Sequence, residues 1–228
     1  DHRDLHLSIR RQRQMCIRDS LGAMLNSIDD GVGLIMEKLG SLGLDQNTIL
    51  IFSSDNGGET NVTSNAPLRG GKSQLYEGGI RVPLIVSWPW EMPEGETTSQ
   101  LTINVDFYPT LLDAAGIAPD RKQSLDGVSV LGTWRDPRIA PRRDALHWHY
   151  PLEKPHFLGG RSGGAIRAGD WKLIECFDNN SLELFHLAND PGEKTNLTAK
   201  HPAKREELFA KLIQWRKAIG VTKDAPKR

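Results

Sequence analysis

Cysteine is nearly absent from this chain. Cys16 and Cys176 are the only two, and neither belongs to a C-x-x-C pair. That removes zinc-ribbon and thioredoxin-like readings and leaves the redox compartment open. An excess of either charge is also missing: Lys plus Arg and Asp plus Glu both number 29. Without a net charge there is no broad electrostatic case for a nucleic-acid or anionic-membrane partner. No apolar run approaches the ~20 residues of a membrane-spanning helix. The longest, around Ile49–Phe52 and Val82–Trp90, are strand-length, and the second is interrupted by proline. What is present is ordinary for a globular protein: 228 residues, 38% apolar and 25% charged, which suits one large domain or one with an appended subdomain.

Residues 1–20 are polar, strongly charged and unlike a signal peptide. They show no clear helical or strand period. Their end, "RQMCIRDS", resembles the translated adaptor sequence that contaminates assembled sequencing reads. This segment is therefore expected to be foreign and to pack poorly. From residue 21 the pattern is regular. Met24, Ile28, Val32, Ile35 and Leu39 recur at steps of four, four, three and four, predicting a helix capped by Ser20 and stopped by Gly40 and Gly43. "NTILIFSS" reads as a strand without in-out alternation, as expected in a parallel sheet covered on both faces. "IRVPLIVSW" reads as a second strand, and "VDFYPTLLDAAGI" as a helix from near Asp106 to Gly116.

The expected fold class is α/β: residues 21–142 form the end of an α/β sheet domain. Residues 143–228 form a smaller subdomain of antiparallel sheet and helix. In that subdomain "GGAIRAGDWKLIEC" and "LELFHL" predict antiparallel strands around the turn "FDNNS". Leu208, Leu212, Trp215 and Ile219 mark the apolar face of a final helix.

Between the first two strands lies a loop long enough to carry function. It opens with Asp55 and Asn56, a carboxylate and an amide carbonyl of the hard-oxygen type that Ca²⁺ or Mg²⁺ prefers. Ligands of parallel α/β sheets bind beyond strand carboxyl ends. Gly57 and Gly58 allow backbone conformations that turn both side chains toward one site. The same string also reads as an Asx turn that simply ends a strand. Lys72 in "APLRGGKS" satisfies a loose nucleotide-binding pattern. A phosphate-binding loop must join a strand directly to a helix, whereas "QLYEGGIRVP" leaves little room for one. Lys72 is better read as a point charge on a glycine-rich loop facing an anionic group, or as an ordinary surface lysine.

Taken together, these strings resemble the sulfatase family. "TILIFSSDNGG" followed by "LRGGKSQLYEGGIRVPLIVSWPW" is similar to its C-terminal signature. "AMLNSIDDGVGLIMEKLGSLGL", "VDFYPTLLDAAGI" and "AIRAGDWKLI…ELFHLANDPGEKTNL" follow the same order, covering residues 21–220. The resemblance implies a sulfuric-ester hydrolase in which Asp55 and Asn56 complete a Ca²⁺ site and Lys72 holds the substrate's sulfate. It implies a sulfated small molecule or carbohydrate as partner, and a periplasmic or secreted location. The family's nucleophile is a formylglycine made from Cys or Ser in C/S-x-P-x-R, and no cysteine or serine here fits that motif. The family's first Asp pair and further catalytic His also lie upstream of the stretch matched, so His2 and His6 are not given that role. The chain alone is therefore expected to be inactive.

"HWHYPLEKPHF" places His147, His149 and His156 in a loop entering the C-terminal subdomain, whose loops reach the active-site mouth in the family. His149 and His156 are thus candidate contacts to the organic part of the substrate. His147 and His149 also alternate like strand neighbours facing a sheet surface. Two other readings stay open. One is a phosphate-ester hydrolase or phosphomutase of the same superfamily, disfavoured because no His follows "DNGG" before His147. The other is a non-catalytic sulfatase-like binding module.

Overall fold

The computed structural model describes residues 2–120 and 122–222, with side chains in the first helix described from Asp19 onward. That helix, α1, runs His2–Ser41 without interruption. Ser20 is therefore not its cap. Residues 2–20 are helical despite lacking an apolar period, because Arg, Gln, Leu and Met favour helix and no proline occurs before Pro67. Their packing falls outside the described side chains up to residue 18; Asp19 and Ser20 are exposed. The stop is where the glycines put it. Gly43 takes φ +64°, and the Leu44 amide donates back to the Leu39 carbonyl at 3.0 Å.

Two sheets follow. β1 (Leu50–Ser53) pairs with β2 (Leu84–Ser87) in a two-stranded antiparallel ribbon. The parallel pairing and two-sided cover expected of β1 are both corrected. Ile51 and Val86 face a cluster of Trp88, Val130, Leu131 and Trp134, while Phe52 and Ile85 are 41% and 62% exposed on the other face. Two single-turn or short helices border this cluster: α3 (Phe107–Ala114), preceded by a 3-10 turn at Asn104–Asp106, and α4 (Leu131–Arg135). Asp106 anchors this region. Its buried carboxylate accepts both amino groups of Arg143 at 2.6 Å and the amides of Ile103 and Val128.

The second sheet is a four-stranded antiparallel meander in sequence order: β3 (Leu146–Tyr150), β4 (Gly163–Ala168), β5 (Trp171–Cys176) and β6 (Leu182–His186). β4 and β5 are joined at Gly169, φ +56°. His147 and His149 thus lie in a strand, not in an entry loop. Strand alternation divides the side chains. Ile166, Leu173 and Leu184 meet Leu208 and Leu212 of helix α5 (Pro202–Ala218) on one face. Ala165, Ile174 and Phe185 pack with Leu75, Tyr76 and Trp148 on the other. The α5 stripe is buried through Leu212, and Trp215 stacks on His147 at 4.8 Å. It does not continue to Ile219, which is 42% exposed. Arg216 takes its place, ion-paired with Glu175 at 2.8 Å.

Candidate functional site

Asp55 and Asn56 sit immediately past the carboxyl end of β1. The Asn56 amide donates to Asp55 Oδ1 at 2.6 Å, and the Ser54 hydroxyl donates to the Asn56 carbonyl at 2.8 Å. The strand end is therefore a tight polar turn that keeps both side chains together. Gly57 and Gly58 serve it differently from expectation, since neither has a positive φ. The reason is close approach: a Cβ on Gly57 would lie 1.7 Å from the Gly78 carbonyl oxygen. The Gly57 amide instead donates to the Gly79 carbonyl at 2.9 Å, and the Lys72 amide donates to the Gly58 carbonyl at 3.1 Å.

These bonds draw the "DNGG" and "GGK…YEGG" loops into one unit. Asn65, passed over in the sequence, joins them further. Its amide oxygen accepts from the Gly58 amide, and its nitrogen donates to the carbonyls of Gly58 and Gly70. "EGGI" forms a single helical turn, α2 (Glu77–Ile80), separated from β1 by the long loop rather than joined directly to it. That agrees with rejecting a nucleotide-binding loop.

Asp55 and Asn56 border a cavity of about 730 Å³ together with Gln74, Arg81, Trp148 and Arg167. Ser73, held at φ +73°, also lines it. Lys72, one residue earlier, is exposed and forms no ion pair among the described residues. The loop carrying His156 packs beside this segment. Gln74 donates to the Leu158 carbonyl at 2.9 Å, and a Cβ on Gly160 would meet the Ser73 carbonyl. The His156 ring itself is occupied locally, with Nδ1 accepting from the Leu158 amide and the ring stacked on Phe157.

His149 is the candidate that the structure separates from the others. It borders the cavity, but strand alternation sends its ring to the α5 side, tilted over Phe177 at 5.5 Å. Burial, and next the Arg216 guanidinium, push its imidazole below the ordinary value. The opposite alternation puts Trp148 and Tyr150 on the cavity side of β3, together with Arg167 of β4. Sequence reasoning passed over these three. The in-out count along "HWHY" could have found Trp148, had it been known which face looks at the loops.

Glu77, which lines the cavity, belongs to a buried charge cluster that the sequence did not announce. Glu77, Lys172 and Glu193 are all 1% exposed or less. Lys172 Nζ lies 2.9 Å from Glu77 Oε1 and 2.8 Å from Glu193 Oε1, while Arg167 reaches Glu77 Oε2 at 3.2 Å. The Lys172–Glu193 contact is an ion pair. Burial pushes the Glu193 carboxyl up, and Lys172 opposes that shift. Among the described residues no group of three or more His, Cys, Asp or Glu is arranged to hold a metal ion. No helix among them is long and apolar enough to cross a membrane.

The class this architecture defines is α/β, with its loops gathered at the carboxyl end of a strand. Comparison makes the assignment specific. A sulfatase family profile matches residues 10–117, and a profile for the C-terminal region of N-sulphoglucosamine sulphohydrolase matches 71–218. The chain belongs to the sulfatase family. The first match begins inside the segment whose sequence looked foreign. A sulfatase of Formosa agariphila is 34% identical over 215 residues, covering 91% of this chain and 38% of its own length. The solved structure of Ps i-CgsB bound to k-i-k-neocarrahexaose superposes with a TM-score of 0.78 at 29% identity, over 87% of this chain and 43% of that one. BT4656, bound to its substrate D-glucosamine-2-N,6-O-disulfate, superposes with a TM-score of 0.71 at 30% identity. It covers 85% of this chain and 39% of the other. The chain thus spans well under half the length of each relative.

Proposed function

We propose that this chain is the C-terminal part of a sulfuric-ester hydrolase acting on a sulfated carbohydrate, in the periplasm or outside the cell. One observation carries the reading. The Asp55–Asn56 strand end and the Lys72 loop are bonded to each other through Gly57–Gly79 and Lys72–Gly58, beside a cavity that Asp55, Asn56 and Ser73 line and Lys72 itself does not. The neocarrahexaose bound by Ps i-CgsB and the glucosamine disulfate bound by BT4656 support the substrate class.

In this reading Asp55 and Asn56 contribute to a Ca²⁺ site. Their donors fit a hard cation in kind, but two side chains fall short of the six to eight oxygens Ca²⁺ takes. When bound, such an ion supplies charge stabilisation to the ester oxygens. Lys72 contributes a point charge to the nonbridging sulfate oxygens, favouring the state in which the departing oxygen gains charge. Arg167, Gln74 and Trp148 form the wall against which the organic part of the ester rests. The chain contains no C/S-x-P-x-R segment, so its residues bind and orient but do not supply the family's nucleophile.

The test is a titration of the chain with inorganic sulfate, with and without Ca²⁺, followed by amide NMR. Saturable shifts should be confined to residues 54–58 and 70–74 and should vanish in Lys72→Ala. Shifts unchanged in that variant would remove Lys72 from the site. A chromogenic aryl sulfate should show no turnover above buffer, and turnover lost in Lys72→Ala would overturn the partial-chain reading.

A further inference from the structure

The loop that carries Lys72 is tied to the neighbouring turn through Gly58, Gly57 and Asn65, and to itself by the Gln74–Gly71 and Gly79–Tyr76 bonds, but its composition favours no single shape. Residues 69–79 include Gly70, Gly71, Gly78 and Gly79, which leave the unfolded segment many conformations and few side chains to pack. Its base is closed by one backbone bond, from the Gly78 amide to the Arg69 carbonyl at 2.7 Å. Both ends of the loop are then held by a single distant residue, Glu193. The Glu193 carbonyl accepts from Arg69 Nη1 at 2.9 Å, and its carboxylate accepts from the Glu77 amide at 2.6 Å. Glu193 itself is fixed by the turn after β6. There the Asp190 carboxylate accepts the Lys194 and Thr195 amides at 2.8 Å, and Glu193 is held at φ +50°.

The charges around this clamp balance. Glu77 and Glu193 face Lys172 and Arg167, two carboxylates against two cations. A fifth charged group, Arg69, lies over the Tyr76 ring at 3.9 Å, and the Tyr76 hydroxyl donates to Glu183 at 2.6 Å. Buried ion pairs contribute little net stability over well-packed apolar side chains, and their best-attested use is to fix one register. Here a register needs fixing, because a glycine-rich loop must meet a sheet 90 or more residues away in sequence.

We propose that Glu193 and Lys172 are positioning residues for Lys72. The β5 strand and the turn after β6 set the loop, and the loop sets the ammonium. This rests on the reading above in which Lys72 contacts sulfate. It assigns the C-terminal sheet a part in the site through the main chain of the loop, without touching the substrate at these two residues.

The experiment is amide hydrogen exchange on the 228-residue chain, read at Lys72, Gln74, Gly78 and Gly79, with sulfate affinity measured alongside. Glu193→Ala and the less buried Arg69→Met should each accelerate exchange at these amides at least about tenfold. Sheet amides of β4 and β5 should keep wild-type rates. Sulfate affinity should weaken in parallel. Glu193→Gln keeps an acceptor of the same length for the Glu77 amide and should fall between wild type and Glu193→Ala. Loop exchange unchanged in both loosening variants would overturn the proposal. So would equal acceleration throughout the sheet in Glu193→Ala, which would mark the cluster as general scaffolding. Failure of the wild-type chain to bind sulfate would instead sink the Lys72 reading alone, leaving the exchange result to decide the clamp.

Discussion

Helices α1 and α5 carry similar apolar recurrences and meet opposite fates. In α5, Leu208 and Leu212 are 0% exposed against the four-stranded sheet. In α1, Met24, Ile28 and Ile35 are 59%, 52% and 55% exposed. The sheets repeat the contrast. The meander is covered on both faces, by α5 and by the loop residues Leu75 and Tyr76, whereas the β1–β2 ribbon leaves Phe52 and Ile85 open. Periodicity reports that a helix has an apolar face. It does not report what that face meets. Stability in this chain should accordingly be concentrated in the C-terminal sheet and its helix.

The largest test of that contrast is Lys172→Met. It leaves Glu77 and Glu193 buried without their shared cation, and removing one member of a buried pair costs about 3–5 kcal/mol. Urea unfolding should show this loss, and a midpoint equal to wild type would mean the cluster is looser than its 2.8–2.9 Å contacts indicate. Leu212→Ala should follow at about 2–5 kcal/mol, the usual range for emptying a filled core site.

A smaller effect is expected from pH. Burial lowers the His147 imidazole from 6.5 to about 4, so the folded chain holds it neutral where the unfolded chain binds a proton. Stability contributed by neutral His147 is complete above the unfolded value. It is lost as pH falls from about 6.5 toward 4, because the unfolded state there binds more protons. The urea midpoint should drop between pH 7 and pH 5, and His147→Phe should shrink that drop. An identical drop in the variant would assign the pH dependence elsewhere. The smallest change should come from Ile28→Ser on exposed α1, within about 0.5 kcal/mol of wild type. Its visible effect should be weaker self-association in sedimentation, since an exposed apolar stripe favours it. A loss of several kcal/mol there would dissolve the contrast between the two helices.

Much of the element order was legible because its signals are local. Gly43 and Gly116 adopt the positive φ that stops a helix, and the strands around "FDNNS" alternate as an antiparallel pair must. β1 was misread because a short apolar run looks the same whether one face or two is covered. The site divided along the same line. Asp55, Asn56 and Lys72 could be nominated from the sequence because their strings are contiguous, and the glycines that interlock their loops were noticed for the wrong reason. Arg167 and the Glu77–Lys172–Glu193 cluster were missed because their meaning depends on partners 90 or more residues away, and Trp148 because the face it joins is set by packing in the cluster that holds Leu75.

By itself, the sequence determined the balance of charge, the helix and strand order, the oxygen-donor turn after β1 and the lysine-bearing glycine loop. Each of these depends on neighbours within a few residues. Only the tertiary structure decided that β1 and β2 run antiparallel and that His149 turns toward α5 while Trp148 turns toward the cavity. It alone decided that Glu193 holds both ends of the Lys72 loop. The physical reason is one of range. Backbone propensity and turn chemistry act along the chain, but a buried charge takes its role from the opposite charges that folding brings within hydrogen-bonding distance.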